Sequence, residues 1–233
     1  PAAVSITPMS ADAAALVDVR IERLLDKRQE AVSGKLAALT GQFPDSAPVW
    51  YEYAAAEFAR VQAADFGGVP LMRGFGFANG ELIVTANRYS DAEAWRAVNR
   101  ALALDPDHAQ ARRLKAEIML GRLVRAADEP APEEWDAVRE LLEPLAADPQ
   151  AQPLAAALSY QSWIEQGLTP PDTAIERLGR AFVANAGVAD FRYAYAVALA
   201  RAGKADVARM LLTSMLNHPQ FAEAATRALE DAR

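Results

Sequence analysis

Residues Ser90–Met119 read SDAEAWRAVNRALALDPDHAQARRLKAEIM, and their pattern alternates between helix, stop and helix. Ser90 and Glu93 have the spacing of a capping box, in which each side chain accepts a backbone N–H at a helix start. Ala94, Val98, Ala101 and Leu102 recur at three- and four-residue intervals, which predicts an apolar stripe whose small members let a neighbouring helix come close. Pro106 has no N–H to continue the ladder and disfavours helical geometry at Asp105, so the helix is predicted to end there. A second periodic run begins directly afterwards.

The same stop returns as Phe43-Pro44-Asp45, Asp148-Pro149-Gln150 and His218-Pro219-Gln220. From Pro44 the intervals between these prolines are 62, 43 and 70 residues. Against a helix-pair repeat of about 34 residues, the last is close to two repeats, and the others are one repeat plus about 28 and about nine. Insertions therefore interrupt a regular array.

Residue by residue the chain resembles the tetratricopeptide-repeat family. Trp50, Tyr53 and Ala54 match the large residue and the large-small pair of a first helix, while Glu57 stands where the family has an aromatic, with Phe58 beside it. Ala94, Val98, Ala101 and Pro106 supply the matching second helix. Tyr195-Ala196, Leu199, Gly203, Ala208 and Leu212 follow the family spacing without interruption. Divergent units pair Ala116 with Ala137 and Leu141, and Leu158-Ser159 with Ala174, Leu178 and Ala181. An N-terminal unit combines Leu16, Ile21, Leu24 and Leu25 with Val32, Leu36 and Leu39.

The resemblance implies an all-α fold, a right-handed superhelix of antiparallel helix pairs with one long irregular or hairpin-containing insertion. It is read as a single domain over 1–233, with units at about 10–44, 47–106, 109–149, 152–186 and 189–220. The insertion occupies 62–89, and a terminal helix at 221–233 would shield the last unit. First helices line the concave groove in this family. That places Tyr51, Phe58, Arg113, Glu117, Tyr160, Trp163, Tyr193 and Arg201 as its protein-binding residues, although aromatics at such spacings serve equally well as inter-helix packing. Members that grip a terminal carboxylate use Asn and Lys there. Ala55, Glu117, Tyr160 and Val197 stand where Asn is expected, which argues against that activity.

The insertion QAADFGGVPLMRGFGFANGELIVTANRY changes composition abruptly. Asn79-Gly80 fits the turn of a hairpin between Leu71–Phe77 and Glu81–Thr85, and the segment equally fits a loop leading into a helical Glu81–Asn87. Its role is read either as decoration whose phenylalanines pack on the repeats or as a partner-binding element.

A net charge of −7 and a pI of about 5.0, with no dense basic stripe, argue against a nucleic-acid partner. Cysteine is absent, which removes disulfides and thiolate chemistry. No apolar run approaches the roughly 18–20 residues that span a bilayer, so no membrane insertion is expected. His108 and His218 fall in inter-repeat turns without metal-binding spacing, and no nucleophile elbow or phosphate loop occurs. Gly74-Phe75-Gly76 lacks the third glycine of a dinucleotide loop, where Asn79 stands.

The expectation is a non-catalytic scaffold, without cofactor or metal, that binds a protein or peptide as a monomer or weak homodimer. The order of an extended VSITPMS lead-in, repeats and a late NAGVADFRYAYAVALARAGKADVAR unit is also similar to bacterial envelope proteins in which a metallopeptidase-like domain precedes the repeats. That arrangement implies a periplasmic or envelope location and an accessory role beside an upstream catalytic domain. A self-assembling structural module is the third reading.

Overall fold

A computed structural model describes residues 9–25, 29–65, 76–78, 81–83 and 90–231. Among them are eleven α-helices: α1 (Ala11–Leu25), α2 (Gln29–Gln42), α3 (Ala47–Asp65), α4 (Ala92–Leu104), α5 (Ala109–Val124), α6 (Pro132–Ala146), α7 (Pro153–Glu165), α8 (Asp172–Ala184), α9 (Ala189–Arg201), α10 (Ala205–Thr213) and α11 (Ala222–Asp231). Between α3 and α4 lies a short antiparallel hairpin, β1 (Gly76–Ala78) with β2 (Glu81–Ile83), in the register Gly76 to Ile83. Of the two readings of the insertion the hairpin is therefore the one found, with shorter strands. Its turn and the rings of Phe66, Phe75 and Phe77 lie outside the described residues, as do residues 4–8 of the VSITPMS lead-in, Gly74 and the side chains of Leu24 and Leu25.

Local chemistry explains the helix ends. Pro106 stops α4: Asp105 is extended, at φ −138° and ψ 94°. The expected capping box at its start is replaced by two separate bonds. Asp91 is the N-cap, the Ser90 hydroxyl accepts the Ala92 N–H at 3.2 Å, and the Glu93 carboxylate is taken by the Arg96 guanidinium at 2.7 Å instead of turning back to the backbone. Ser46 caps α3, accepting the Val49 N–H while donating to the Asp12 carboxylate at 2.6 Å. Prolines open α6 and α7, where a missing N–H has no helical partner to lose.

A different device closes α7 and α9. Gly167 and Gly203 adopt φ of +76° and +73°, and in each case the next residue's N–H reaches back, Leu168 to Trp163 O and Lys204 to Leu199 O, both at 2.9 Å. This is the Schellman closure, and its left-handed residue is glycine because a Cβ is disfavoured there.

The chain packs as two compact units. The first comprises Pro1–Pro70 and Asn87–Lys115, the second Leu71–Ala86 and Ala116–Arg233. In the first, α1 packs on α2 and α3, α2 on α3, and α3 on α4. The α3–α4 pair is antiparallel: Arg100, late in α4, donates to Pro44 O and the Asp45 carboxylate just before α3 begins, at 3.2 Å each. In the second unit α6 to α11 pack in sequence, each on the next.

Buried side chains of that second unit cluster along the helix order. One cluster joins Ala146, Ala156, Tyr160, Leu178 and Phe191 across α6–α9, and another joins Tyr193, Leu212, Met215, Phe221 and Ala225 across α9–α11. The buried face of α6 is Trp135, Val138, Leu142 and Leu145, one residue round from the expected Ala137 and Leu141. Ile21, expected in the core of α1, is half exposed, and Leu16 and Val19 are buried instead.

Candidate functional site

The eight residues expected to face a partner divide between the units, and most lie inside them. In the first unit Tyr51 and Phe58 are buried on α3, the Tyr51 ring lying 5.1 Å from that of His108, while Arg113 on α5 is half-buried. In the second, Glu117, Tyr160 and Tyr193 are buried, Trp163 is half-buried and Arg201 is exposed. Tyr193 packs against Phe221 with centroids 5.3 Å apart, so its ring holds α11 on α9. Burial thus leaves Arg113, Trp163 and Arg201 with surface to offer.

Around Trp163 the second unit carries unpaired polar groups. The Arg139 guanidinium of α6 stacks over the Trp163 ring at 4.1 Å, and its Nη2 donates to Asp136 at 2.6 Å. Among the described residues its Nη1 is buried without a partner, as are the Tyr160 hydroxyl and the Gln166 side-chain oxygen. Tyr160, Trp163 and the C-cap Gln166 follow each other at three-residue steps, so they neighbour one another as a strip at the end of α7. Burial pushes the Tyr160 hydroxyl's pKa up, while the Arg201 guanidinium acts on it in the opposite sense without a well-formed hydrogen bond. Each unpaired buried group costs about 1–3 kcal/mol relative to a bonded one.

The first unit spends its polar groups internally. Glu52 and Glu57 are both buried on α3. Arg20 of α1 donates to Glu52 Oε1 through Nε at 2.8 Å and Nη2 at 2.6 Å. Glu57 accepts the Ser33 hydroxyl of α2, and Arg60 Nη2 at 2.8 Å. Burial pushes the Glu57 carboxyl up, but Arg60 and Ser33 overcome it and hold the group below its ordinary value. Glu57 is therefore a hydrogen-bonded anchor between α2 and α3.

A cleft of about 650 Å³ opens on α8 and α9. Its walls are Phe182 and Tyr195, stacked with centroids 5.8 Å apart, and the exposed Val183; Glu176, Arg180 and Gln150 supply polar edges. Gly179 forms part of the floor, because the Tyr195 ring lies where a Cβ would stand, 2.8 Å from its position. None of these residues was expected as a site. The available signals were a glycine inside the helical run AIERLGRAFVA and an apolar Val183 off the Ala174-Leu178-Ala181 stripe.

His108 and His218 each accept a backbone N–H on Nδ1, from Ala111 and Gln220 respectively, at 3.3 Å, which gives both a role in the turns. Among the described residues no group of three or more His, Asp or Glu side chains is placed to hold a metal ion, and no helix is long and apolar enough to cross a membrane. Comparison with known proteins finds no matching family model, no matching curated protein and no matching solved structure.

Proposed function

We propose that the chain is a helical-repeat scaffold of the tetratricopeptide type that binds a protein or peptide and performs no catalysis. The repeat reading is supported by side-chain bonds at the family's spacing inside each unit. Ser46 bonds Asp12, and Arg177 grips Glu143 with two bonds of 2.7 Å; both pairs are 34 residues apart in sequence. Such contacts tie equivalent positions of successive helix pairs, as stacking of 34-residue units requires.

The observation that carries binding is the α7 strip. Trp163 offers a half-exposed aromatic surface with the Arg139 guanidinium stacked on it, and the exposed Arg201 adds a cation near Tyr160. Aromatic area combined with an accessible cation is what an extended peptide engages. Selection of a displayed random-peptide library on the intact chain tests the reading. Enriched peptides are expected to lose at least about tenfold in affinity with Trp163→Ala plus Arg201→Ala, while circular dichroism stays helical. A library that yields no enriched peptide overturns the proposal.

A further inference from the structure

The cleft on α8 and α9 carries a more specific message than its size. Glu176 and Arg180 are four residues apart on α8 with the glutamate first, the orientation in which such a pair bonds best on a helix. Yet among the described residues neither has an ion-pair partner, and both side chains are exposed beside an aromatic wall. Val183, one further turn along, is 71% exposed, the most exposed large apolar side chain among the described residues. The cleft thus presents a fixed order along one helix face: negative, flat aromatic floor, positive, apolar.

We infer that this cleft binds an extended peptide segment carrying a basic, an acidic and an apolar side chain at alternate positions, in that order. The inference rests on the scaffold reading but places a recognition site away from the α7 strip. The spacing fits. A helix rises about 1.5 Å per residue, so Glu176 and Arg180 are about 6 Å apart along the axis and Val183 follows at about 10 Å. Alternate side chains of an extended chain are about 6.6 Å apart and share one face. A basic side chain then meets Glu176, an acidic one meets Arg180, and the apolar one covers Val183 and the edge of the Phe182–Tyr195 stack. Gly179 lets the Tyr195 ring lie flat against α8, which makes the floor a peptide backbone can cross, and the Gln150 amide offers a donor and an acceptor to it. A single cation beside an anion does not suit a phosphate backbone, which needs several.

The order is the testable content, because in either chain direction the central acidic side chain meets Arg180, whereas exchanging the two charges puts a basic one there. Isotopically labelled full chain is titrated with acetyl-Ala-Lys-Ala-Glu-Ala-Leu-Ala amide and with the charge-exchanged acetyl-Ala-Glu-Ala-Lys-Ala-Leu-Ala amide. The first peptide is expected to shift the Val183 methyl signals and the amides of Glu176–Val183, binding at least about fivefold tighter than the second. In the doubly substituted Glu176→Arg, Arg180→Glu chain the preference should invert, and both positions are exposed enough to leave the helix intact. An unchanged preference in that variant overturns the inference. Shifts centred on Trp163 and Arg201 overturn the cleft site and leave the scaffold reading standing. If neither peptide produces a shift the cleft site is also overturned, and the display selection then decides the scaffold reading separately.

Discussion

Helices α3 and α8 use charge in opposite ways. On α3 the acids Glu52 and Glu57 are buried and bonded, to Arg20 and to Ser33 and Arg60. On α8, Glu176 and Arg180 remain exposed and, among the described residues, unpaired although their spacing would let them meet. Buried polar networks commit their members to one arrangement, because a partner removed leaves a desolvated charge. Exposed charges without partners keep their bonding capacity for a ligand. The lesson is that α3 fixes the register of its neighbours, whereas α8 leaves chemistry free at the surface.

The largest expected effect breaks the α3 side of this contrast. Glu57→Ala strips the Ser33 hydroxyl and the Arg60 guanidinium of their acceptor, and a loss of about 2 kcal/mol is expected in urea denaturation, moderated by the partial exposure of Arg60. Because the folded carboxyl sits below its ordinary 4.5, its stabilisation is present above that pH and is lost as pH falls through the lower folded value. The deficit of the variant should shrink correspondingly in acid.

Asp190 in α9 should behave with the opposite sign and a smaller amplitude. Burial raises its carboxyl above the ordinary 3.8, against the lowering influence of its own backbone N–H and of His218. Its ionisation therefore opposes folding, by an amount that is absent below 3.8 and grows as pH rises through the raised folded value. Asp190→Asn is expected to be more stable than the parent near neutral pH and equal to it in strong acid, as read by thermal melts at a series of pH values. The smallest effect sharpens the α8 side: Glu176→Gln with Arg180→Gln should change stability by less than about 0.5 kcal/mol, since no internal bond is lost. A larger loss in the same urea assay would show that these charges are spent internally after all.

The sequence made a helix end plain at Pro106, where Asp105 is extended, whereas Gly167 and Gly203, whose positive φ closes α7 and α9, were not read as stops. Buried faces were legible on α8 and α10, whose apolar stripes stand against polar opposite faces, giving Leu178, Ala181, Ala208 and Leu212. Helices such as α3 and α7, buried on several sides, provide no such contrast. That is why Tyr51, Phe58, Tyr160 and Tyr193 could be assigned to a groove by resemblance yet lie inside their units. The α6 face slipped by one residue because Trp135 and Val138, rather than the smaller Ala137, set the packing. The cleft stayed hidden because it depends on Tyr195 lying across Gly179, a contact between two helices that neither segment announces alone.

The tryptophans carry a further consequence, an optical one. The chain has four, Trp50 and Trp95 in the first unit and Trp135 and Trp163 in the second. Three have a cation over the ring, Arg96 on Trp50 at 5.6 Å, Lys115 on Trp95 at 5.4 Å and Arg139 on Trp163 at 4.1 Å, while Trp135 is buried. Each indole thus sits in a surrounding that dissolves only when its own unit does. Replacing one pair by phenylalanine leaves the remaining fluorescence as a signal from the other unit, so two complementary variants would follow the melting of each unit by itself.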